Sequence, residues 1–326
     1  MSDTPLLEVK DLVAKLPTKD GELSLINGIS FSVGKDETFG IIGESGCGKT
    51  MTSMTILRYA ERIGLKVVGG QILFEGEDVL KFSGKRLASY NGNDVAVILQ
   101  DPMQALDPLY TVGDQMLETI RKHHKIPRKE AVEKMKNITG QLSISQEKLS
   151  CYPHQLSGGM LQRIVGAIVV SCNPKLIIAD EPTTALDVTV QLQYLKLLKD
   201  IQKIWHTSII FISHDIHVIS MICDRIAVMY AGNIVEIGTK DDLFNNPTHP
   251  YTKALFEVAS VGKIPQERYQ TIEGNPPDLR EEICGCHFAE RCPYLHGKCN
   301  KEKPCKTDLG NGHEVFCWRV ADGKNN

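Results

Sequence analysis

Residues Thr38 to Thr50 read TFGIIGESGCGKT, and the fold follows from this stretch. Thr38 to Gly43 is a short, continuous apolar run. That is the pattern of a strand buried on both faces of a parallel sheet. It passes directly into Gly43-Glu44-Ser45-Gly46-Cys47-Gly48-Lys49-Thr50, which fits G-x-x-x-x-G-K-[ST]. The glycines let backbone N–H groups curl around phosphate oxygens. The helix that follows points its positive end at the same place. Lys49 supplies a point charge for the β- and γ-phosphates, and Thr50 offers a hydroxyl to Mg²⁺. Gly43 to Met51 are therefore the expected nucleotide contacts. The strand leading into the loop separates this reading from a glycine-rich turn with a stray lysine.

Four more strand-length runs lie downstream: Asp94 to Gln100, Leu176 to Glu181, Ser208 to Ser213 and Arg225 to Tyr230. Helical segments separate them. One runs from Val190 to Trp205, with Leu195, Leu198, Ile201 and Trp205 on one stripe at spacings of three and four. Strands alternating with helices predict an α/β layered core. From about Met103 to Gly158 the pattern changes to helices and loops with charged stretches such as Arg121 to Lys136, which reads as a helical insertion. Pro247, Pro250, Pro265, Pro276 and Pro277 then punctuate the chain into its tail. There is no internal repeat. The run Leu176 to Glu181 ends in two acids, where ligands bind at a sheet edge. Asp180 would join a Mg²⁺ shell and Glu181 would act as general base. By itself, an acidic turn after a strand reads the same way.

Composition sets the outer limits. A chain of 326 residues, 42% hydrophobic and 24% charged, has enough apolar surface for a sizeable core and too much for disorder. Lys and Arg number 37 against 40 Asp and Glu, a net charge of -3, so a strongly basic nucleic-acid surface is not indicated. The longest uncharged apolar stretch, Ile164 to Val170, falls far short of the ~20 residues a bilayer requires. The start, MSDTPLLEVKDL, has neither a basic n-region nor an apolar h-region, so no signal peptide is expected and the protein should sit in the cytosol, docked on something else.

Cysteines are unevenly placed. Cys47, Cys151, Cys172 and Cys223 are scattered through the body, whereas six fall between Cys284 and Cys317. A tail cluster in a cytosolic chain points to metal more often than to disulfides. Zinc sites usually pair ligands as C-x₂-C, and no such pair exists here. The wide spacing suits a larger iron–sulfur cluster, with zinc and free or crosslinked thiols as the alternatives.

These residues together resemble the ATP-binding cassette family over roughly positions 6 to 257. The phosphate loop is followed by Gln100 at the end of an apolar run, as in the family's Q-loop. Leu156-Ser157-Gly158-Gly159-Met160-Leu161-Gln162-Arg163 resembles its signature motif. Asp180-Glu181 matches the second Walker motif with its glutamate, Ala185-Leu186-Asp187 resembles the D-loop, and His214 matches the switch histidine. Within the family, Gln100-Asp101-Pro102-Met103, Asp180 to Gln191 and His249 to Leu255 resemble the oligopeptide/dipeptide importer ATPases. So does Gly285-Cys286-His287-Phe288-Ala289-Glu290-Arg291-Cys292-Pro293 in the tail. Nickel importers share much of this pattern, so the cargo stays open.

The resemblance implies an α/β P-loop ATPase core with an antiparallel β subdomain. It implies a nucleotide-binding domain over 1–257, with a helical subdomain at about 103–165, and a cysteine-bearing extension over 258–326. It implies an ATPase whose two subunits stack head to tail around ATP. Ser157, Gly158 and Gly159 of one would face the phosphate loop of the other, their helix N-terminus serving as an anion site. Catalytic roles fall on Glu181 as base, His214 on the γ-phosphate and Gln100 as sensor and Mg²⁺ contact, with Thr50 and Asp180 on Mg²⁺. A [4Fe-4S] cluster on Cys286, Cys292, Cys299 and Cys317 is implied in the same way. The expected partners are membrane permease subunits docking near Gln100 to Tyr110, a second, related ATP-binding subunit and, indirectly, an extracytoplasmic substrate-binding protein. No nucleic acid is expected, and the place is the cytoplasmic face of the cell membrane. One departure is Leu16, which stands where the family stacks an aromatic on adenine. Lacking a π-face, it predicts weak discrimination between ATP and GTP. The competing reading is a soluble cassette ATPase acting on nucleic acid or ribosomes. Such proteins often carry two cassettes or a long coiled coil, and some carry zinc, whereas this sequence shows one cassette, no heptads and no basic excess. A P-loop kinase fits less well, because Glu181 and the signature loop suit attack by water.

Overall fold

A computed structural model describes residues 4–19, 21–184, 186–260 and 272–323. The strands in chain order are β1 (Leu7–Thr18), β2 (Gly21–Val33), β3 (Thr38–Ile42), β4 (Lys66–Phe74), β5 (Glu77–Asp78), β6 (Val95–Ile98), β7 (Leu176–Asp180), β8 (Ser208–Ser213), β9 (Arg225–Tyr230), β10 (Asn233–Thr239), β11 (Lys306–Asp308) and β12 (Glu314–Phe316). The helices are α1 (Lys49–Ile56), α2 (Gly84–Ser89), α3 (Val112–His124), α4 (Arg128–Gln141), α5 (Gly158–Val170), α6 (Val188–Trp205), α7 (Ile216–Ile222), α8 (Lys240–Asn245), α9 (Pro250–Ser260) and α10 (Trp318–Ala321). All five apolar runs of the sequence are strands. The chain divides into two compact units: residues 1–34, 38–80 and 213–326 form one, and residues 35–37 and 81–212 the other.

In the first unit, β3 is buried along its whole length and pairs in parallel with β9, Ile41 opposite Ala227. β10 continues the sheet antiparallel to β9. The tail then supplies the next strands. β12 pairs with β10, Glu236 opposite Val315, and β11 pairs with β12. A separate antiparallel sheet in the same unit has the order β2-β1-β4-β5. Its inward residues Leu7, Val9, Leu12 and Ala14 alternate with wetter ones, as one-sided burial requires.

In the second unit, β6, β7 and β8 are parallel neighbours, with Ile98 opposite Ala179 and Asp180 opposite Ile212. Four residues of β7 and all of β8 are buried, which explains their unbroken apolar sequence. α6 buries Leu195, Leu198 and Ile201 of the stripe. The helix starts where Asp187 accepts from Thr189 N–H and Val190 N–H, both at 3.0 Å, an acidic N-cap. Between β6 and β7 lie α3, α4 and α5. Thr111 caps α3 by accepting from Asp114 N–H at 3.1 Å. Among the described residues, no helix is long and apolar enough to cross a membrane.

Candidate active site

The phosphate loop joins β3 to α1. Gly43 leaves no room for a side chain, since a Cβ there would overlap the Met229 carbonyl oxygen. Gly48 sits at φ +108°, a conformation few other residues adopt. Lys49 opens α1 and is only 5% exposed. Its ammonium donates back into the loop, to the Gly43 carbonyl at 2.8 Å and the Glu44 carbonyl at 3.0 Å. Ser45, Gly46 and Thr50 are exposed at the mouth, and Met51 is half-buried. Cys47, within the loop, is buried, and burial pushes its thiol pKa up.

Two residues far away in sequence hold this loop. Tyr251, at the start of α9, accepts the Glu44 N–H on its hydroxyl at 3.0 Å. Arg291, in the tail, grips the Glu44 carboxylate with both terminal nitrogens, at 2.9 and 3.2 Å. Burial pushes the Tyr251 hydroxyl up, keeping it neutral. Neither residue was among the candidates from sequence. Arg291 lay inside the quoted cysteine motif, but nothing local links that motif to Glu44.

In the second unit the strand pairing brings three candidates to one sheet edge. Gln100 lies two residues beyond β6, Asp180 ends β7, and Glu181 follows it. Gln100 is exposed, while Asp180 and Glu181 are half-buried. Glu181 adopts φ +47°, the left-handed region that costs a residue with a Cβ free energy and that clusters at working sites. Its N–H donates to the Ile212 carbonyl at 2.9 Å, and its carboxylate accepts the Thr184 hydroxyl at 3.2 Å. The signature residues open α5. Ser157 is its N-cap by backbone, yet its hydroxyl makes no cap bond. Ser157 and Gly158 are exposed, and a Cβ on Gly158 would meet nothing. Of the D-loop stretch, Ala185 lies outside the described residues. His214, the residue after β8, belongs to the first unit and is exposed, with Asp215 behind it capping α7.

In the tail, Cys286, Cys292, Cys299 and Cys317 line one small cavity of about 20 Å³ together with His249, His296 and Trp318. Cys284 and Cys305 are exposed and do not line it. Burial raises the Cys292 and Cys317 thiols and lifts Cys286 to about 12, with the neighbouring thiols adding to that rise. His296 Nε2 is buried there without a hydrogen-bond partner. As they stand, no three His, Cys, Asp or Glu side chains among the described residues form a ready metal-binding group.

Residues 26–184 match the model of the ABC transporter family, and residues 235–299 match the oligopeptide/dipeptide transporter C-terminal region. A probable peptide ABC transporter ATP-binding protein, y4tR of Sinorhizobium fredii, is 43% identical over 98% of this chain and 96% of its own. The chain belongs to the ABC transporter ATP-binding proteins. The dipeptide transport ATP-binding protein DppD of Bacillus subtilis is likewise 43% identical, over 96% of this chain and 94% of its own. Among solved structures, cbiO1 from Clostridium perfringens, part of the ABC transporter complex cbiONQ, superposes with a TM-score of 0.66. It is 25% identical and covers 79% of this chain and 95% of that one. The fold is therefore the ABC ATPase P-loop fold with mixed α/β sheets, and the reaction of the family is ATP hydrolysis with Mg²⁺.

Proposed function

We propose that this ABC ATPase powers a membrane importer of di- or oligopeptides from the cytoplasmic face. The observation that carries the cargo class is the match of residues 235–299 to the oligopeptide/dipeptide transporter C-terminal region, beyond the ATPase core. The nucleotide-binding domain is residues 1–257, with the helices at about 103–165 as the subdomain that meets the permeases. Residues 258–326 are the extension. A related ATP-binding subunit completes the nucleotide cage, and a substrate-binding protein delivers cargo to the permeases. Deleting the gene should abolish uptake of labelled dipeptides, and a plasmid copy carrying Lys49→Ala should fail to restore it. Undiminished peptide uptake in the deletion strain would overturn the cargo reading.

In this mechanism the N–H groups of Gly46, Gly48 and Lys49 take phosphate oxygens, and the Lys49 ammonium turns from the loop carbonyls to the β- and γ-phosphates. Thr50, Gln100 and Asp180 are the residues that would offer Mg²⁺ oxygen donors, the type this hard cation prefers. The ion supplies charge neutralisation on the phosphates. Glu181 takes a proton from the water whose oxygen attacks the γ-phosphorus, and the bond to the bridging oxygen breaks to leave ADP. His214 hydrogen-bonds the γ-phosphate and orients that water. Ser157, Gly158 and Gly159 offer α5's positive end to the γ-phosphate held by the partner.

Cys286, Cys292, Cys299 and Cys317 hold a [4Fe-4S] cluster in this reading. Support comes from their shared cavity and from the buried, unpartnered His296 nitrogen beside it. A bound cluster would cross-link an extension too short for a core of its own. Anaerobically purified protein should be brown and contain iron. Colourless protein without iron would end this part of the proposal.

A further inference from the structure

The Arg291 guanidinium has five N–H bonds, and each has an acceptor. Nε donates to the Glu273 carbonyl at 3.0 Å. One terminal nitrogen donates to Glu44 Oε2 at 2.9 Å and to the Tyr230 hydroxyl at 3.2 Å. The other donates to Glu44 Oε1 at 3.2 Å and to the Ile272 carbonyl at 3.0 Å. The Arg291 side chain is 5% exposed and that of Glu44 26%. So the tail presents a fixed, buried fork to a carboxylate that belongs to the phosphate loop. Such a fork is geometrically demanding, and a lysine cannot reproduce it.

The charge arrangement gives the fork a purpose. Glu44 places a carboxylate on a loop built to receive polyphosphate, a local repulsion of the wrong sign for the ligand. Arg291 neutralises it and, with Tyr251 on the Glu44 N–H, fixes the loop's first turn from one side. We propose that Arg291 is a positioning residue for the phosphate loop, making nucleotide affinity depend on the folded C-terminal extension. The inference rests on the nucleotide site proposed above.

The test titrates the full-length chain with MgADP, using wild type, Arg291→Gln, Glu44→Gln and the double variant, with Lys49→Ala as a control. Arg291→Gln leaves a half-buried carboxylate facing the phosphates and should weaken MgADP at least about tenfold. Glu44→Gln removes the repulsion but leaves the Arg291 guanidinium buried without its carboxylate, so this variant serves as one corner of the double-mutant cycle. The double variant should bind MgADP at least about threefold more tightly than Arg291→Gln, a coupling that cannot arise between independent sites. In ATP hydrolysis, the same order should appear in KM with little change in kcat, because Arg291 touches no reacting atom. If Arg291→Gln does not fold, Arg291→Lys serves instead: it should weaken MgADP about threefold and be relieved by Glu44→Gln. An arginine variant that binds MgADP like wild type, or a double variant as weak as the arginine variant alone, would overturn the proposal. A wild-type chain that takes up no MgADP, matching Lys49→Ala, would instead remove the nucleotide site and this inference with it.

Discussion

In the proposed mechanism the chain has two anion cradles, one at the phosphate loop and one at the signature helix, and they are finished to different degrees. Both are loops at a helix N-terminus, where free N–H groups and the helix dipole favour phosphate. The cradle at Gly43–Lys49 is held by three contacts: the Lys49 ammonium on two carbonyls, Tyr251 on the Glu44 N–H, Arg291 on the Glu44 carboxylate. The cradle at Ser157–Gly159 has an exposed serine whose hydroxyl caps nothing and a glycine facing open space. A preorganised site binds by itself, because its ordering cost is met during folding. An open one is suited to a ligand brought by another molecule. In the proposed mechanism the contrast separates what one chain would do alone, hold a nucleotide, from what would require a partner, hydrolyse it.

Substitutions test that division, and the largest effect belongs to chemistry. Glu181→Gln should lower phosphate release by about 10²- to 10⁴-fold, the range for loss of a general base, while a nucleotide titration shows binding intact. Normal turnover in that variant would place the base elsewhere. Lys49→Ala attacks the finished cradle and should weaken nucleotide binding to the isolated chain by about 1.5–3 kcal/mol, readable by calorimetry. Ser157→Arg attacks the open one. It should leave that calorimetric affinity unchanged and yet abolish hydrolysis by the assembled dimer; retained activity there would break the comparison.

A smaller effect concerns the tail that carries Arg291. Glu236 is fully buried on β10 and accepts the N–H groups of Thr248 and His249, both at 2.8 Å. His313, just before β12, places Nε2 2.8 Å from the same carboxylate. The Glu236 hydrogen bond raises the His313 pKa above its ordinary value, so folding favours the protonated ring. Its stabilisation is therefore complete below the ordinary histidine pKa and is lost as pH rises through the raised one. His249 behaves oppositely. Burial lowers it to about 4, so its contribution is present above the ordinary value and is lost as pH falls towards 4. His313→Gln should cost about 1–3 kcal/mol at mildly acidic pH and less at alkaline pH. Thermal unfolding across that range measures it, and a pH-independent difference would refute the ionised pair. The smallest effect is at Leu16: competition titration should find ATP and GTP within about threefold of each other, since an aliphatic residue offers no π-face for which bases could differ.

Much of this was legible before any coordinates. The five apolar runs are strands because burial on both faces tolerates no polar alternation, and that demand is written residue by residue. The phosphate loop was readable for a similar reason: its glycines, lysine and threonine act within a few residues of one another. Gln100, Asp180 and Glu181 were readable as strand ends, but their common edge needed the register of β6 against β7. The left-handed backbone of Glu181 had no sequence signal, since it arises from the turn the chain makes after β7.

Short-range rules thus decided the phosphate loop, the strands and the acidic pair, because backbone geometry and burial act between near neighbours. The folded chain alone decided that Arg291 meets Glu44 across 247 positions. It alone decided that four of six tail cysteines share a cavity, and that β12 joins β10. Such encounters depend on the path of the whole chain, and a charge or a thiol carries no mark of the distant group that its packing will bring beside it.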